Sequence, residues 1–257
     1  MRAHVTLVTI LILFAGGVAA GGVSAVAGGS SFLTFPLLLA AGLPPLAANI
    51  TNWVALIPGN FVALAAYRTE LADMRSELKQ HLIVSFMGGL LGAVLLLWTG
   101  EARFEKAVPW LLLVATVFYA LGEWIKKRFN KMRDPTRAPS PRWILAFEFG
   151  LLVYGGYFGA GVGIVLLAAL AIMGQRSIHH ANAQKNLMIV AMSAAGLILF
   201  LPSGHVVWLY GLPVFAGSML GGYGSVRFIK RIPERAVRNA VLVWAFVLTG
   251  FMFWKYG

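Results

Sequence analysis

The 257-residue chain contains no cysteine and few charged residues. Without cysteine there is no disulfide, no thiolate metal site and no cysteine nucleophile. Charged residues make up 12% of the chain, about half the usual share of a soluble domain, while 59% are apolar. A soluble surface needs more polar cover than this composition provides. The composition excludes an ordinary soluble enzyme and a disordered chain, and it predicts an integral membrane protein.

Catalytic motifs are also missing. The sequence has no Ser/His/Asp triad pattern, no phosphate-binding P-loop and no pair of carboxylates spaced for acid–base chemistry. We therefore expect no enzymatic activity, no cofactor and no use of ATP. Among the acidic residues only Glu148 enters a predicted membrane segment, near its interfacial end. A cation or proton pathway usually shows buried acids, so this scarcity points away from a cationic substrate.

Basic residues are in excess, with 21 Lys and Arg against 9 Asp and Glu and a net charge of +12. In a soluble protein this excess would suggest nucleic acid. In a membrane protein, Lys and Arg accumulate in the cytoplasmic loops. We interpret the charge as a topology signal and expect no nucleic-acid partner.

Ten apolar segments follow one another, five in each half of the chain. A spanning helix needs about 20 residues, but the second segment of each half has only about ten and follows a glycine cluster. The predicted fold is an all-α polytopic membrane protein in which each half has four long helices and one short half-helix. The segments are 5–27, 32–41, 46–67, 81–99 and 104–125, then 143–160, 164–173, 180–201, 206–228 and 236–256.

The two halves are related in sequence. Gly21-Gly22 recurs as Gly155-Gly156, and the run at 48–52 recurs at 181–186, with an offset near 133 residues. Such self-similarity indicates an internal duplication. We predict a first repeat at 1–125, an exposed basic linker at 126–142 with seven Lys/Arg and three prolines, and a second repeat at 143–257.

The distribution of charge predicts a topology. If each short segment is the return leg of a hairpin, each half crosses five times, and 16 of the 21 Lys and Arg fall on the side of the linker. That side is then cytoplasmic. Five crossings make the halves inverted repeats, which are typical of secondary transporters. If the short segments continue the preceding helices instead, the parity changes and the charges sort less well.

The duplicated glycine clusters are the first candidate site. A break followed by a new helix leaves free N–H groups, and the helix dipole there favours an anion. The alternative is close helix packing, which we prefer for the spaced pairs Gly17/Gly21, Gly88/Gly92 and Gly217/Gly221. The candidates are Gly28, Gly29, Ser30 and Ser31 in the first half and Gly161 and Gly163 in the second.

A second candidate opens the third segment of each half, where several polar side chains share one helical face. An intramembrane ammonium such as that of Lys185 needs a carboxylate, a carbonyl or a substrate anion. The alternative is a polar seam that holds helices together. The residues are Asn49, Thr51 and Asn52, matched by Asn182, Gln184, Lys185 and Asn186.

His179 and His180 raise the alternative of a divalent metal-cation permease. Adjacent histidines point to different helix faces, and no acid or third histidine follows at the required spacing. We interpret them, like His81 and His205, as interfacial. A non-transporting membrane scaffold that docks a partner or anionic lipid on the basic linker is a further alternative.

Several motifs together resemble the TauE/SafE family of sulfite exporters over essentially the whole chain. One departure is that the second half has no proline matching Pro36. The motifs are Gly21-Gly22 through Gly28-Gly29, Phe35-Pro36-Leu37-Leu38, Gly42-Leu43-Pro44 and the run 48–52, then the glycines at 155–163, His180 through Asn186, Ser203-Gly204-His205-Val206 and Gly221-Gly222-Tyr223-Gly224.

The resemblance implies a multi-pass transporter of the bacterial inner membrane that carries a small sulfur-containing anion. Sulfite, an organosulfonate and sulfoacetate are all substrates assigned within the family, which includes members of either direction. We expect a secondary transporter, working as an exporter, whose partners are this anion and the lipid bilayer. A homo-oligomer is compatible with the sequence. The glycine clusters and polar runs named above would bind the anion, with Lys185 supplying the positive charge.

Overall fold

The computed structural model describes residues 6–26, 29–65, 67–74, 78–132, 141–172, 178–225 and 234–256. This part of the chain consists of α-helices joined by turns and short loops and has no strand. The helices are α1 (Leu7–Val26), α2 (Ser31–Ala40), α3 (Pro45–Ala65), α4 (Arg68–Asp73), α5 (Leu78–Met132), α6 (Pro141–Tyr157), α7 (Val162–Ile172), α8 (Ile178–Phe200), α9 (Trp208–Ser225) and α10 (Glu234–Tyr256).

Each of the ten predicted segments coincides with a helix or with one arm of a helix. The segments 81–99 and 104–125 are two arms of α5, separated at Gly100, whose backbone (φ 70°, ψ 170°) is not helical. The short α4 was not predicted. Helix α5 continues to Met132, seven residues into the predicted linker. The linker has no proline before Pro135, and its lysines and arginines favour helix. The linker residues 133–140 lie outside the described part.

Within the described residues, three stretches are long and apolar enough to cross a membrane: 7–24 in α1, 78–122 in α5 and 179–200 in α8. The stretch in α5 spans 45 residues, more than twice the length that one crossing needs. Since Gly100 divides it, its two arms account for two crossings. The chain is therefore a multi-pass membrane protein.

Glycines bring α1 against α9. A Cβ on Gly17 would lie 2.5 Å from the carbonyl oxygen of Val214, and one on Gly21 would collide with the carbonyl oxygen of Ser218. The residue numbers of the contacting positions increase together along α1 and α9, so the two helices run parallel. The packing interpretation of the Gly17/Gly21 and Gly217/Gly221 pairs is confirmed, since only a missing side chain permits this approach.

The first arm of α5 packs on α6 in the same manner. A Cβ on Gly88 would lie 2.7 Å from that of Leu152, and one on Gly92 would collide with the carbonyl oxygen of Val153. These helices are also parallel. The packing interpretation of Gly88/Gly92 is confirmed here as well. The first helix of each sequence half thus packs against the fourth segment of the other half.

A third helix joins each of these pairs. Ser218 on α9 donates a hydrogen bond of 2.9 Å to the carbonyl of Ala55 on α3. On the other side, a Cβ on Gly89 of α5 would lie 2.6 Å from the carbonyl oxygen of Met192 on α8. We call α1, α3 and α9 the first bundle, and α6, α8 and the first arm of α5 the second bundle. Each bundle contains helices from both sequence halves.

Candidate substrate-binding site

A small polar cavity of about 50 Å³ lies between the two bundles, with room for a few water molecules. The first bundle, the second bundle and the starts of both short helices contribute to its wall. Its lining residues are Ser24, Trp53, Leu56 and Asn60 from the first bundle, Gly159, Lys185, Ile189, Met192 and Ser193 from the second bundle and the turn after α6, and Gly29, Ser30, Ser31, Val162 and Gly163 at the starts of α2 and α7.

The start of α2 presents backbone donors to this cavity. Gly29 adopts a positive φ of 87°, and a Cβ there would lie 2.7 Å from the ring of Tyr119. Ser30 makes no side-chain cap, and the first turn is closed by Phe32 N–H to the Gly29 carbonyl and Leu33 N–H to the Ser30 carbonyl. Within the described residues, no carbonyl accepts from the N–H of Ser30 or Ser31. These groups and the helix dipole create a positive potential.

The start of α7 is built in a similar way. Val162 N–H donates to the Gly159 carbonyl at 3.4 Å, and Ile164 N–H donates to the Gly161 carbonyl at 3.1 Å. In the described residues no carbonyl accepts from the N–H of Gly163, which lines the cavity. Gly161 does not line it: with φ 76° it turns the chain, and a Cβ there would lie 3.3 Å from the carbonyl oxygen of Ala115.

Lys185 supplies a buried cation at the cavity wall, with only 1% of its surface exposed. Its ammonium donates a hydrogen bond of 3.3 Å to the side-chain oxygen of Asn182, one turn earlier on α8. The amide oxygen orients the ammonium. No acidic side chain of the described residues lines the cavity. A positive group and two helix starts around one space favour an anion.

The polar run on α3 is placed differently. Asn49 donates to the carbonyl of Tyr157 at 3.1 Å, Thr51 accepts from the Val207 N–H at 3.0 Å, and Asn52 accepts from the Thr34 hydroxyl. None of these three side chains lines the cavity. They tie α3 to the ends of α6, α9 and α2, as the seam interpretation describes.

The remaining predicted residues lie on α8 or outside the described part. Gln184 and Asn186 are buried but do not line the cavity, and the amide nitrogen of Asn186 has no hydrogen-bond partner. Gly28 lies outside the described residues. The structure therefore brings Gly29, Ser30, Ser31, Gly163 and Lys185 to one space, with Asn182 behind the lysine.

Sequence reasoning missed four polar or aromatic residues that line the cavity: Ser24, Trp53, Asn60 and Ser193. Ser24 donates to the side-chain oxygen of Asn60 at 3.1 Å, and the indole of Trp53 donates to the carbonyl of Gly155 at 3.4 Å. Ser193 is the fourth. The available signal was a polar residue inside an apolar segment, which Ser24, Asn60 and Ser193 all show.

The histidines form two separate contacts. His81 on α5 lies 2.7 Å from the carboxylate of Glu148 on α6, which is fully buried. The sequence placed both residues near the interface but did not predict that they meet. His180 lies 3.9 Å from the carboxylate of Asp73, and among the described residues no group of three metal-ligating side chains occurs.

The fold and the cavity define a multi-pass helical membrane protein with a polar site between its helices, which is the architecture of a membrane transporter. Comparison with known families identifies it further. The family model described as sulfite exporter TauE/SafE matches residues 13–252, and the chain belongs to this family.

Curated relatives cover nearly the whole chain. A "Probable membrane transporter protein" of Haemophilus influenzae is 29% identical over 96% of this chain and 96% of its own length. The "Probable membrane transporter protein YfcA" of Escherichia coli K12 is 24% identical over 93% of this chain and 87% of its own length. No solved structure matches the chain. The family and these relatives make the chain a membrane transporter.

Proposed function

We propose that the chain is a secondary transporter of a small sulfur-containing oxyanion and that the cavity between the bundles binds this anion. The observation that carries the proposal is the meeting of Lys185 with the starts of α2 and α7 around one cavity. The Lys185 ammonium supplies the charge, and the N–H groups of Ser30, Ser31 and Gly163 act as neutral donors. The hydroxyls of Ser30, Ser31 and Ser193 add adjustable donors.

The size and chemistry of the cavity support a small oxyanion. About 50 Å³ accommodates an ion of four or five atoms but not a long organic chain. Hydrogen-bond donors from several directions match the tetrahedral or pyramidal oxygens of a sulfur anion. The family description supports sulfite as the first substrate to test, with a two-carbon sulfonate and sulfoacetate as larger alternatives, and it supports the export direction.

We infer that the two halves are inverted repeats. Their support lies in the direction of the helices: α1 and α3 both run parallel to α9, so the short α2 between them is a return leg and each half crosses an odd number of times. Thr116 on α5 and Thr249 on α10, which stand 133 positions apart, hydrogen-bond to each other at 3.0 Å, as matching positions do at a two-fold axis. Broken helices that meet near such an axis form the substrate site in many secondary transporters. The linker lies on the cytoplasmic side in this arrangement, in the bacterial inner membrane.

Alternating access would then move the first bundle against the second. The cavity lies between them, so tilting one bundle would open it to one side of the membrane at a time. The remaining polar residues keep a supporting role in this scheme: Asn49, Thr51 and Asn52 hold α3 against the turns around the site, and Asn182 orients Lys185.

The test is transport by the purified protein in proteoliposomes. We expect saturable flux of labelled sulfite and at least a tenfold loss in Lys185→Met, because the anion would then lose its only charged lining side chain among the described residues. Lys106→Met is the matched control, since Lys106 is an exposed lysine on α5.

Three results would contradict the proposal in different parts. Flux of sulfite that survives Lys185→Met would make Lys185 structural. Flux of the two-carbon sulfonate without sulfite would keep the class and change the substrate. Absence of flux for every sulfur anion, with the protein still folded, would reject the transport function proposed here.

A further inference from the structure

A buried acid–base pair lies outside the cavity and plays no part in the proposed anion site. Glu148 on α6 is fully buried, and its Oε2 atom lies 2.7 Å from Nδ1 of His81 on α5. Among the described residues, no group hydrogen-bonds to the second carboxylate oxygen, Oε1, which is buried. Burying a polar oxygen without a partner is costly.

The same position in the other half of the molecule shows that packing does not require this pair. The glycine contacts match Gly88 to Gly217 on one helix and Phe149 to Phe14 on the other, so His81 corresponds to Tyr210 on α9 and Glu148 corresponds to Leu13 on α1. Leu13 and Tyr210 are both buried, and neither is a carboxylate or an imidazole. The acid–base pair therefore breaks the symmetry of the duplicated fold at one of its two equivalent interfaces.

Only the histidine of the pair reaches the protein surface. The side chain of His81 is 20% exposed, whereas that of Glu148 is fully enclosed. His81 follows the exposed residues Lys79 and Gln80 at the start of α5, so its exposed edge lies at the polar end of the helix. Beside the carboxylate, a Cβ on Gly88 would lie only 3.2 Å from the Phe149 carbonyl oxygen, so the two backbones approach closely there.

The other titratable groups near this end of the molecule are already engaged or exposed. On α5, Lys79 is exposed. On α8, His179 is exposed and His180 lies 3.9 Å from Asp73, while Lys185 faces the cavity. Helix α7 has no titratable residue, and on α6 itself Arg142 is exposed and Tyr154 donates to the Ala160 carbonyl.

We propose that His81 and Glu148 form a proton-binding site that couples movement of the anion to a proton gradient. This inference rests on the proposed transport function. The step is a simple proton transfer: a proton from water forms an O–H bond at the carboxylate of Glu148, and in the other conformation that bond breaks and the proton returns to water. No other bond changes, and the charge of the pair changes by one.

Helix α6 connects this pair to the anion cavity. Gly155 stands seven residues after Glu148, roughly 10 Å along the helix, and its carbonyl accepts the indole N–H of Trp53, which lines the cavity. The turn that follows α6 contributes Gly159 to the same wall. Protonation that changes the contact of α6 with α5 would therefore be transmitted to the start of α7.

The experiment separates substrate movement from proton coupling in vesicles. Exchange of labelled for unlabelled sulfite at equal pH needs no net proton movement, whereas uptake driven by a pH gradient does. We expect Glu148→Gln to retain exchange and to lose gradient-driven uptake by at least tenfold, with no substrate-dependent signal from a pH-sensitive dye inside the vesicles. Glu105→Gln, a partly exposed acid on α5, is the matched control and should keep both activities.

Two further variants guard against misfolding. His81→Gln should lose the same coupling. The double change His81→Tyr with Glu148→Leu copies the residues of the equivalent interface, so it should fold and exchange sulfite without responding to the gradient. Gradient-driven uptake equal to the wild type in Glu148→Gln or in the double variant would overturn the inference.

A measurement without substrate distinguishes this inference from the proposed function. Infrared difference spectra of the purified protein between acid and alkaline pH should contain a carboxyl band that Glu148→Gln removes. If the wild type carries no sulfite, the transport proposal fails while this band still decides whether Glu148 binds a proton. Absence of the band would overturn the proton site, whatever the transport result.

Discussion

At the scale of single residues, Pro36 leaves a gap in the hydrogen bonding of α2 that a residue from α10 fills. Proline has no N–H, so the Phe32 carbonyl loses the donor that a regular helix would provide. The indole N–H of Trp244 donates to this carbonyl at 2.9 Å. The second half has Ala169 at the matching position, which retains its own N–H, so α7 needs no such outside donor.

We predict that Trp244→Phe destabilises the protein by about 1–3 kcal/mol, because the buried Phe32 carbonyl would lose its partner while the aromatic packing stays. Thermal unfolding in detergent measures the change. Trp254→Phe is the control on the same helix, since the Trp254 side chain is 82% exposed. Equal melting temperatures for the two variants would show that the hydrogen bond contributes nothing.

Residue types in apolar segments predicted part of the site but not the roles of its members. Lys185, Ser30 and Ser31 reach the cavity, yet Asn49 and Asn52, chosen by the same criterion, bond to neighbouring elements instead. The difference depends on what lies opposite each side chain, which only the tertiary structure shows. The contact of His81 with Glu148 joins positions 67 residues apart and had no local signal.

At the scale of helices, segment length and glycine spacing predicted most of the architecture. All ten apolar segments are helical, and the spaced glycines lie at close helix contacts. The sequence did not predict α4, which has only six residues, four of them polar. The break predicted between the segments 81–99 and 104–125 lies at Gly100.

The glycine contacts on α9 give a prediction with an internal control. In Gly221→Ala the new methyl group would collide with the carbonyl oxygen of Val18 on α1, whereas a Cβ on Gly224 would meet nothing within 4 Å. Overpacking of this kind costs about 1–3 kcal/mol. We expect a lower melting temperature for Gly221→Ala and an unchanged or slightly higher one for Gly224→Ala.

Unfolding temperatures and the yield of folded protein in detergent would report both variants. If Gly221→Ala were as stable as Gly224→Ala, helix α1 would have room to move away from α9. The description of the first bundle as a tightly packed unit would then be wrong, along with the rigid-body motion proposed from it.

At the scale of the whole molecule, the sequence halves and the packed bodies are different divisions of the same chain. The duplication predicted from the sequence separates 1–125 from 143–257, but α9 of the second half packs with α1 and α3, and the first arm of α5 packs with α6 and α8. Duplication is visible in sequence because matching residues recur at a fixed offset. The exchange of helices between halves leaves no such trace, because it depends on contacts between distant segments.

This exchange leads to a test of which bodies move. A Cβ on Gly59 of α3 would lie 3.6 Å from the Cβ of Ser218 on α9, within the range for a disulfide. The natural chain has no cysteine, so Gly59→Cys with Ser218→Cys introduces the only thiols. The cross-link would join the two sequence halves but stay inside the first bundle.

We expect oxidation to leave sulfite flux in proteoliposomes within about twofold of the reduced protein, if the bundles move as units. Each single cysteine variant controls for the substitutions, and gel mobility after protease cleavage in the linker measures the extent of cross-linking. Flux that stops on oxidation and returns with a reductant would mean that α3 and α9 move apart during transport, and that the sequence halves, not the bundles, are the moving bodies.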